Sequence, residues 1–251
     1  MAKKRLDMAL VERGLAETRA AAQRLVMAGL VFSNERRLDK PGHGVADEMP
    51  IEVRGQPHPY VSRGGLKLQK ALDHFALAVE DRIALDVGAS TGGFTDCLLQ
   101  RGAARVYAVD VGTNQLAWKL RSDPRVVSTE RTNIRDITTT EVPEPVDLIV
   151  CDASFIGLRT ALPAALALAK PGAHLVALIK PQFEVGKGRV GKGGIVRDPA
   201  LHQEVCGAIS DWLAAQPGWQ VLGLTDSPIE GADGNKEFLI AGHFSGLPAS
   251  P

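Results

Sequence analysis

One short stretch, residues 83–94, constrains the fold more than any other part of the chain. It reads Ile-Ala-Leu-Asp-Val-Gly-Ala-Ser-Thr-Gly-Gly-Phe, so an apolar run ends in an acid, a glycine-rich turn and the start of a helical pattern. This order predicts a strand, a tight loop and a helix, the unit that opens a nucleotide-binding α/β domain. Glycine has no Cβ and therefore lets the loop backbone approach a ligand closely. An ordinary strand-to-helix turn without a ligand is the alternative interpretation.

A second acidic residue supports the ligand interpretation. Asp110 follows the apolar run 106–109, and a carboxylate at such a strand end can bind both hydroxyls of a ribose. The loop is not the dinucleotide fingerprint, because three residues separate Gly88 from Gly92 and Asp86 precedes both. An acid at that point suits a cationic ligand better than a pyrophosphate. S-adenosylmethionine carries an adenosine, a sulfonium and an amino group, and it fits this pattern.

The composition is that of an ordinary soluble globular protein, with 45% hydrophobic and 23% charged residues. The formal net charge is zero, although residues 1–65 carry 11 basic and 8 acidic side chains, which hints at an anionic partner for that segment. Cys97, Cys151 and Cys206 lack metal-ligand spacing and are expected to be free thiols. No run approaches the roughly 18 apolar residues of a membrane span, and no secretory signal is recognisable, so we expect a cytoplasmic protein.

The periodicity predicts two domains. Residues 1–60 read as a small α+β module with helices at 5–13 and 18–27 and short strands at 30–32 and 51–53. Residues 54–63 contain two prolines and a glycine and are predicted to be a linker to the second domain, 61–251.

The second domain alternates helices with strands, which predicts a mostly parallel, seven-stranded sheet covered on both faces. The expected order is helix 66–76, strand 83–87, helix 93–101, strand 105–109, helix 114–121, strands 125–129 and 146–151, helix 158–169, strand 173–179, helix 199–215, and strands 219–226 and 236–243. The glycine-rich turn 231–235 makes the last two strands a hairpin, so at least one edge strand should run antiparallel.

The first domain resembles the RNA-binding domain shared by ribosomal protein S-four, pseudouridine synthases and tyrosyl-tRNA synthetases. The similarity lies in residues 5–7, 14–19, 28–31 and 40–42. It implies contact with folded RNA, and the candidates for phosphate contacts are Arg5, Arg19, Arg24, Arg36, Arg37 and Lys40. For any single arginine, a solvated surface charge is the alternative.

Three further apolar runs lie next to reactive polar residues. Asp152 and Lys180 follow the runs 146–151 and 175–179, and Glu237 opens the last strand. Ligands bind outside the carboxyl ends of the strands in open α/β sheets, so Asp152 and Lys180 should meet beside the glycine loop. Lys180 is difficult to explain as a surface charge, because burial of an unpaired ammonium is costly.

Together with residues 60–68 (Tyr-Val-Ser-Arg-Gly-Gly-Leu-Lys-Leu), 86–94, 152–156 and 180–187, these features resemble the FtsJ-type ribose 2′-O-methyltransferases. Over nearly its whole length the chain is similar to the haemolysin-A/TlyA family of rRNA methyltransferases. The resemblance implies a Rossmann-like class I methyltransferase domain and a catalytic tetrad of Lys67, Asp152, Lys180 and Glu237.

The tetrad has a physical logic of its own. A ribose 2′-hydroxyl must lose its proton as it attacks the methyl group, and a lysine accepts that proton only if a neighbouring cation lowers its pKa. We expect Lys180 to be the base and Lys67 the neighbouring cation, with Asp152 and Glu237 orienting the ammonium groups. No metal is needed. For Lys67, the alternative is a surface lysine without a catalytic role, like Lys70 one turn further along the predicted helix. For Glu237, the alternative is that its short motif occurs by chance.

The same resemblance implies the cofactor contacts, and the composition of one loop predicts a wider RNA surface. Asp110 should bind the ribose, and Asn133 lies where related enzymes have an acid near the adenine amino group, with Asp136 as its substitute. The residues expected to line the methionine part or to lie near it are Asp86, Gly88, Ser90, Thr91, Gly92, Phe94 and Asp152. The basic loop 182–198 with Lys187, Arg189, Lys192 and Arg197 is predicted to bind the RNA backbone, although a merely flexible crossover is the alternative. Arg63 is a further candidate for RNA contact.

The function expected from these observations is methylation of rRNA ribose with S-adenosylmethionine, and the resemblance implies cytidine targets in 16S or 23S rRNA within ribosomal subunits. Two alternatives remain at this point. One is an RNA-binding protein with a degenerate methyltransferase domain, and the other is a membrane-active haemolysin.

Overall fold

The structure is a computed structural model that describes residues 4–13, 15–16, 18–54, 58–231 and 234–247, without the side chain of Lys187. The chain divides into two compact units, residues 1–59 and 60–251. Each unit has its own hydrophobic core.

The first unit consists of two short helices and small antiparallel strands. Thr18 caps the second helix, because its side chain accepts a hydrogen bond from the Ala21 amide at 3.2 Å. Leu6, Leu10 and Val26 lie in the core between the helices and the strands. The elements are β1 (Lys4–Arg5), α1 (Leu6–Glu12), α2 (Arg19–Met27), β2 (Val31–Ser33), β3 (Arg36–Arg37), β4 (Gly44–Val45) and β5 (Glu52–Val53), paired as β1-β4 and β3-β2-β5.

The second unit alternates strands and helices as its sequence predicts. Its elements are α3 (Gly64–His74), β6 (Ile83–Val87), α4 (Gly93–Gln100), β7 (Arg105–Val109), α5 (Trp118–Arg121), β8 (Val126–Thr129), β9 (Val146–Cys151), α6 (Leu158–Ala161), α7 (Pro163–Leu166), β10 (Ala169–Ile179), α8 (Pro181–Glu184), α9 (Pro199–Ala214), β11 (Trp219–Asp226) and β12 (Phe238–Phe244). Two single-turn 3₁₀ helices, Lys187–Arg189 and Lys192–Gly194, lie between α8 and α9.

Seven strands form one sheet in the order β11-β12-β10-β9-β6-β7-β8, which confirms the mostly parallel seven-stranded sheet. All neighbouring pairs from β10 to β8 are parallel, whereas β12 is antiparallel to both β10 and β11. The reversed strand is therefore second from the edge, and not the edge strand that the hairpin pattern suggested. All six residues of β9 are buried, as expected for a sheet covered on both faces.

Two predicted helices are shorter than expected. The segment 114–121 is helical only from Trp118, since Asn114 has a φ of 55° and Ala117 is extended. The segment 158–169 is split at Pro163, which has no amide hydrogen to continue the first helix, and its last residue, Ala169, already belongs to β10.

The strand order brings four chain segments to one edge of the sheet. The carboxyl ends of β10, β9 and β6 are neighbours, so the segments that start at Lys180, Asp152 and Gly88 lie side by side. Because β12 runs in the opposite direction, its first residue, Phe238, pairs with Ile179 at the end of β10. Glu237 is thereby delivered to the same edge.

Candidate active site

Two lysines and two carboxylates meet at this edge of the sheet. Lys67 Nζ lies 2.5 Å from Glu237 Oε2 and 4.0 Å from Asp152 Oδ2, while Lys180 Nζ lies 2.7 Å from Asp152 Oδ1. Lys180 also donates hydrogen bonds to Ser154 Oγ at 2.8 Å and to the Asp152 carbonyl at 3.2 Å. Both lysines and Glu237 are at most 7% exposed, so each buried ammonium is compensated by a carboxylate. The structure thus brings together all four residues of the predicted tetrad.

Close packing of α3 on α4 positions Lys67. A Cβ on Gly93, the first residue of α4, would lie 2.9 Å from the Gly65 amide nitrogen, and a Cβ on Gly65 would lie 2.3 Å from the Tyr60 ring. The buried Asp96 carboxylate accepts a hydrogen bond from the Val61 amide at 2.7 Å, which ties the segment before α3 to α4. The two glycines are therefore required because no side chain fits between these elements.

The four tetrad residues line a cleft of about 490 Å³. The glycine loop forms one wall, and α8 together with the segment after β9 forms another. Among the predicted site residues, the cleft is lined by Arg63, Lys67, Asp86, Gly88, Ser90, Thr91, Phe94, Asp152, Lys180 and Glu237.

Asp86 is fully buried at the bottom of this cleft. Its Oδ2 atom accepts a hydrogen bond from Thr95 Oγ1 at 2.7 Å, whereas Oδ1 has no hydrogen-bond partner within the described part of the chain. Burial raises the pKa of this carboxyl to about 7, and the nearby charges of Asp152 and Asp110 add to the shift. A buried acceptor without a partner is unfavourable, so this oxygen fits a cationic hydrogen-bond donor in the cleft.

The two predicted loop glycines have different roles. Gly88 has a φ of 82° and approaches Ala153 so closely that a Cβ would lie 3.2 Å from its Cα atom. Gly92 has a φ of 98° and faces away from the cleft, where a Cβ would clash with the side chains of Leu116 and Leu120. It is Gly93, and not Gly92, that lines the cleft.

Asp110 lies on a narrower cavity that shares Ala89 and Ser90 with the cleft. Its carboxylate accepts hydrogen bonds from the backbone amides of Ser90 and Gly112, each at 2.7 Å, which fixes its orientation. Asn133 lines neither cavity, and its side-chain oxygen is engaged by the Arg135 amide and Nε, each at 3.1 Å. The Asn133 side-chain oxygen was expected to accept a hydrogen bond from the adenine amino group, but it already accepts hydrogen bonds within the protein.

Phe155, Gln182 and Asn235 also line the cleft, although no individual role was predicted for them from the sequence. Phe155 is 90% exposed and has a φ of 66°, which is a rare conformation for a bulky residue, and its ring lies 5.3 Å from that of Phe183. Gln182 and Asn235 provide amide groups to the cleft lining. Phe155 and Gln182 lie in the segments 152–156 and 180–187 that carry the family resemblance, and Asn235 lies two residues before Glu237.

In the first unit, a buried carboxylate orients two of the predicted RNA-binding arginines. Asp7 accepts two hydrogen bonds from Arg5, at 2.9 and 3.0 Å, one from Arg19 at 2.9 Å and one from Gln23 at 2.9 Å. The side chains of Arg5 and Arg19 remain about half exposed. The remaining candidates Arg24, Arg36, Arg37, Lys40, Arg63 and Lys192 are exposed, and the side chain of Lys187 lies outside the described residues.

Two further findings concern the cysteines and membranes. Cys97, Cys151 and Cys206 are free thiols, the first two buried and the third partly buried. Within the described ranges, no helix combines the length and apolar character that crossing a bilayer requires.

The strand order and the cleft define a class I methyltransferase fold, and comparison with known proteins gives the same class. Residues 60–244 match the family of FtsJ-like methyltransferases, and residues 4–51 match the S4 domain. The chain belongs to the FtsJ-like methyltransferase family, within its TlyA branch.

Individual relatives cover nearly the whole chain. YqxC of Bacillus subtilis is 55% identical over 97% of this chain and 87% of its own length. The 16S/23S rRNA (cytidine-2′-O)-methyltransferase TlyA of Mycobacterium tuberculosis is 48% identical over 94% of this chain and 88% of its own length. A solved structure from Streptococcus thermophilus, at 47% identity, superimposes with a TM-score of 0.77 over 99% of this chain and 90% of that chain.

Proposed function

We propose that this protein transfers a methyl group from S-adenosylmethionine to the ribose 2′-hydroxyl of cytidine in 16S or 23S rRNA, acting on ribosomal subunits in the cytoplasm. The observation that carries the proposal is the meeting of Lys67, Asp152, Lys180 and Glu237 in one cleft. The activity of the Mycobacterium tuberculosis relative, at 48% identity, supports the same substrate.

In the proposed reaction, Lys180 in its neutral amine form would take the proton of the 2′-hydroxyl as that oxygen accepts the methyl group. S-adenosylmethionine, when bound, supplies the electrophilic methyl group on its sulfonium. Asp152 lies between the two ammonium groups and orients Lys180, and Glu237 holds Lys67 as the neighbouring cation. The residues act mainly by positioning the hydroxyl for in-line transfer.

The cleft has features that suit the cofactor. Asp86 Oδ1, which has no hydrogen-bond partner among the described residues, would accept a hydrogen bond from the cofactor amino group. The absence of a Cβ at Gly88 lets the loop pack closely against Ala153. Ser90, Thr91, Phe94 and Asp152 would contact the methionine part. Asp110 keeps free lone pairs beyond its two backbone hydrogen bonds and would accept from the ribose hydroxyls.

RNA binding is assigned to exposed groups of both units. The exposed arginines and lysines of the first unit would contact phosphates, and such contacts make affinity fall steeply with salt. Beside the cleft, the exposed Phe155 ring offers a face on which the target base could stack. On the second unit, the exposed Arg63 and Lys192 would also contact RNA phosphates, and Lys187 is a further candidate from its position in the sequence.

The test is methyl transfer to rRNA from cells that lack this protein. A 2′-O-methyl group blocks alkaline cleavage at its own nucleotide, so the resistant dinucleotide identifies ribose methylation and its position. We expect Lys180→Met to lower the rate roughly 100- to 10,000-fold, since it removes the proton acceptor. Lys70→Met, an exposed lysine one turn beyond Lys67 on the same helix, is the matched control and should keep full activity.

Cofactor affinity separates the possible outcomes. Lys180→Met should bind S-adenosylmethionine as the unmodified protein does, because the cofactor contacts lie on other residues. Full activity of this variant would refute the role of Lys180. Cofactor binding without methyl transfer by the unmodified protein would favour a degenerate methyltransferase that only binds RNA.

A further inference from the structure

The Gln182 side chain has a polar atom that the proposed reaction does not use. Its Oε1 atom is buried and has no hydrogen-bond partner in the portion of the chain that the structure describes. Gln182 lines the cleft two residues after Lys180, in α8, and is followed directly by Phe183. A buried amide oxygen without a hydrogen-bond partner gains a hydrogen bond when a donor group enters the cleft.

The neighbouring polar groups are already engaged within the protein. Lys180 contacts Asp152 and Ser154, and the Asn235 side chain accepts from the Val196 amide and donates to the Gly194 carbonyl, each at 3.1 Å. Among the described residues, two other buried acceptors of the cleft have no hydrogen-bond partner, Asp86 Oδ1 and Asp152 Oδ1. Asp152 Oδ1 is ion-paired with Lys180 at 2.7 Å, so Gln182 Oε1 and Asp86 Oδ1 are the two without a charged partner in the cleft.

These two acceptors lie on different parts of the sheet. Asp86 belongs to β6, whereas Gln182 follows β10, and β9 separates these strands. Two strand spacings amount to roughly 10 Å. Because Gln182 follows a strand two positions away from that of Asp86, its acceptor serves a different portion of the bound molecules, on the side of Lys180 and of the Phe155–Phe183 pair.

If a base stacks on the Phe155 ring, only a face of the base is covered. The edge of the base then remains free to contact neighbouring polar groups. Cytosine carries an amino group at the position where uracil carries a carbonyl oxygen. An acceptor such as Oε1 bonds with the amino group and opposes the carbonyl oxygen. A site built around such a hydrogen bond rejects the analogue that cannot form it.

We propose that Gln182 is the residue that selects cytidine over uridine, by accepting a hydrogen bond from the amino group of the cytosine base. This inference rests on the proposed function and assigns the base specificity of that same cleft.

The experiment uses transcripts of the rRNA region in which the methylated nucleotide has been mapped, with either cytidine or uridine at that position. The unmodified protein should methylate the cytidine transcript at least about tenfold faster. Gln182→Leu, which has no acceptor, should lose this preference because its rate on the cytidine transcript falls about tenfold. Gln182→Glu keeps an acceptor and should retain the preference.

Two controls make the result specific to the base. The affinity for S-adenosylmethionine and the thermal unfolding midpoint should be the same in all three proteins. If Gln182→Leu keeps the cytidine preference, or if it weakens cofactor affinity as much as it lowers the rate, the assignment is wrong. If the unmodified protein methylates no ribose in rRNA, the proposed function fails and the inference fails with it, whereas an active protein with an unaltered Gln182→Leu preference overturns only the inference.

Discussion

Each of the two units contains a fully buried aspartate. The two carboxylates differ in the number of hydrogen bonds they accept and in the direction of their pKa shift. Asp7 in the first unit accepts four hydrogen bonds, three of them from arginines, and the hydrogen bonds from Arg5 hold its pKa far below the usual range. Asp86 in the second unit accepts one hydrogen bond from a side chain, from Thr95, and burial raises its pKa to about 7.

The difference shows how burial of the same group can serve two purposes. The Asp7 carboxylate is saturated by its own chain, so it stabilises the local fold and holds two guanidinium groups in one place. The Asp86 carboxylate keeps an unpartnered oxygen, which costs stability in the free protein. Such a cost is typical of a functional site, where a ligand completes the hydrogen bonds.

In the comparison of Asp7 with Asp86, the largest expected effect is on the affinity for the cofactor. Asp86→Asn should weaken binding of S-adenosylmethionine roughly 100-fold, equivalent to about 3 kcal/mol, because the charged acceptor for the amino group is lost. Isothermal titration calorimetry measures the effect, and the exposed Asp211→Asn on α9 is the control. Unchanged affinity in Asp86→Asn would mean that Oδ1 does not face the cofactor.

The second effect concerns the pH dependence of stability without ligand. The pKa of Asp86 is raised from its unfolded value, so its stabilising contribution is present below about pH 4 and is lost as the pH rises through about 7. Between pH 5 and pH 7, the free energy of unfolding should fall by about 2 kcal/mol more in the unmodified protein than in Asp86→Asn. Urea unfolding at several pH values measures this, and a difference between the two proteins that is independent of pH would contradict it.

The smallest expected effect concerns Asp7, whose carboxylate is saturated with hydrogen bonds. Asp7→Asn should lower the free energy of unfolding by only about 1 kcal/mol, since its arginine partners are half exposed and their ion pairs are weakened by solvent. Its RNA affinity should fall and become less sensitive to salt, because Arg5 and Arg19 are no longer held together. Denaturant titration and filter binding at several salt concentrations check both, with the exposed Asp39→Asn as control. RNA binding identical to that of the control would restrict Asp7 to a structural role.

Much of the second unit was predictable from local patterns. Strands β6, β7, β9 and β11 have the expected bounds, because mainly apolar runs and apolar–polar alternation are strong strand signals. The predictions were wrong where a local exception ended a helix, as at Pro163 and Asn114. No individual role was predicted for the cleft residues Phe155 and Gln182, although both lie in segments that carry the family resemblance, because their residue types alone indicate no chemistry.

The amino-acid sequence by itself determined which residues end the apolar runs, and therefore which side chains could reach the carboxyl edge of a parallel sheet. Only the tertiary structure decided that β12 inserts between β10 and β11 in the reverse direction, which brings Glu237 beside Lys67. It also decided that the buried acceptors Asp86 Oδ1 and Gln182 Oε1 have no hydrogen-bond partner among the described residues. Strand partners and hydrogen-bond saturation depend on contacts between residues far apart in the chain, and local periodicity contains no record of those contacts.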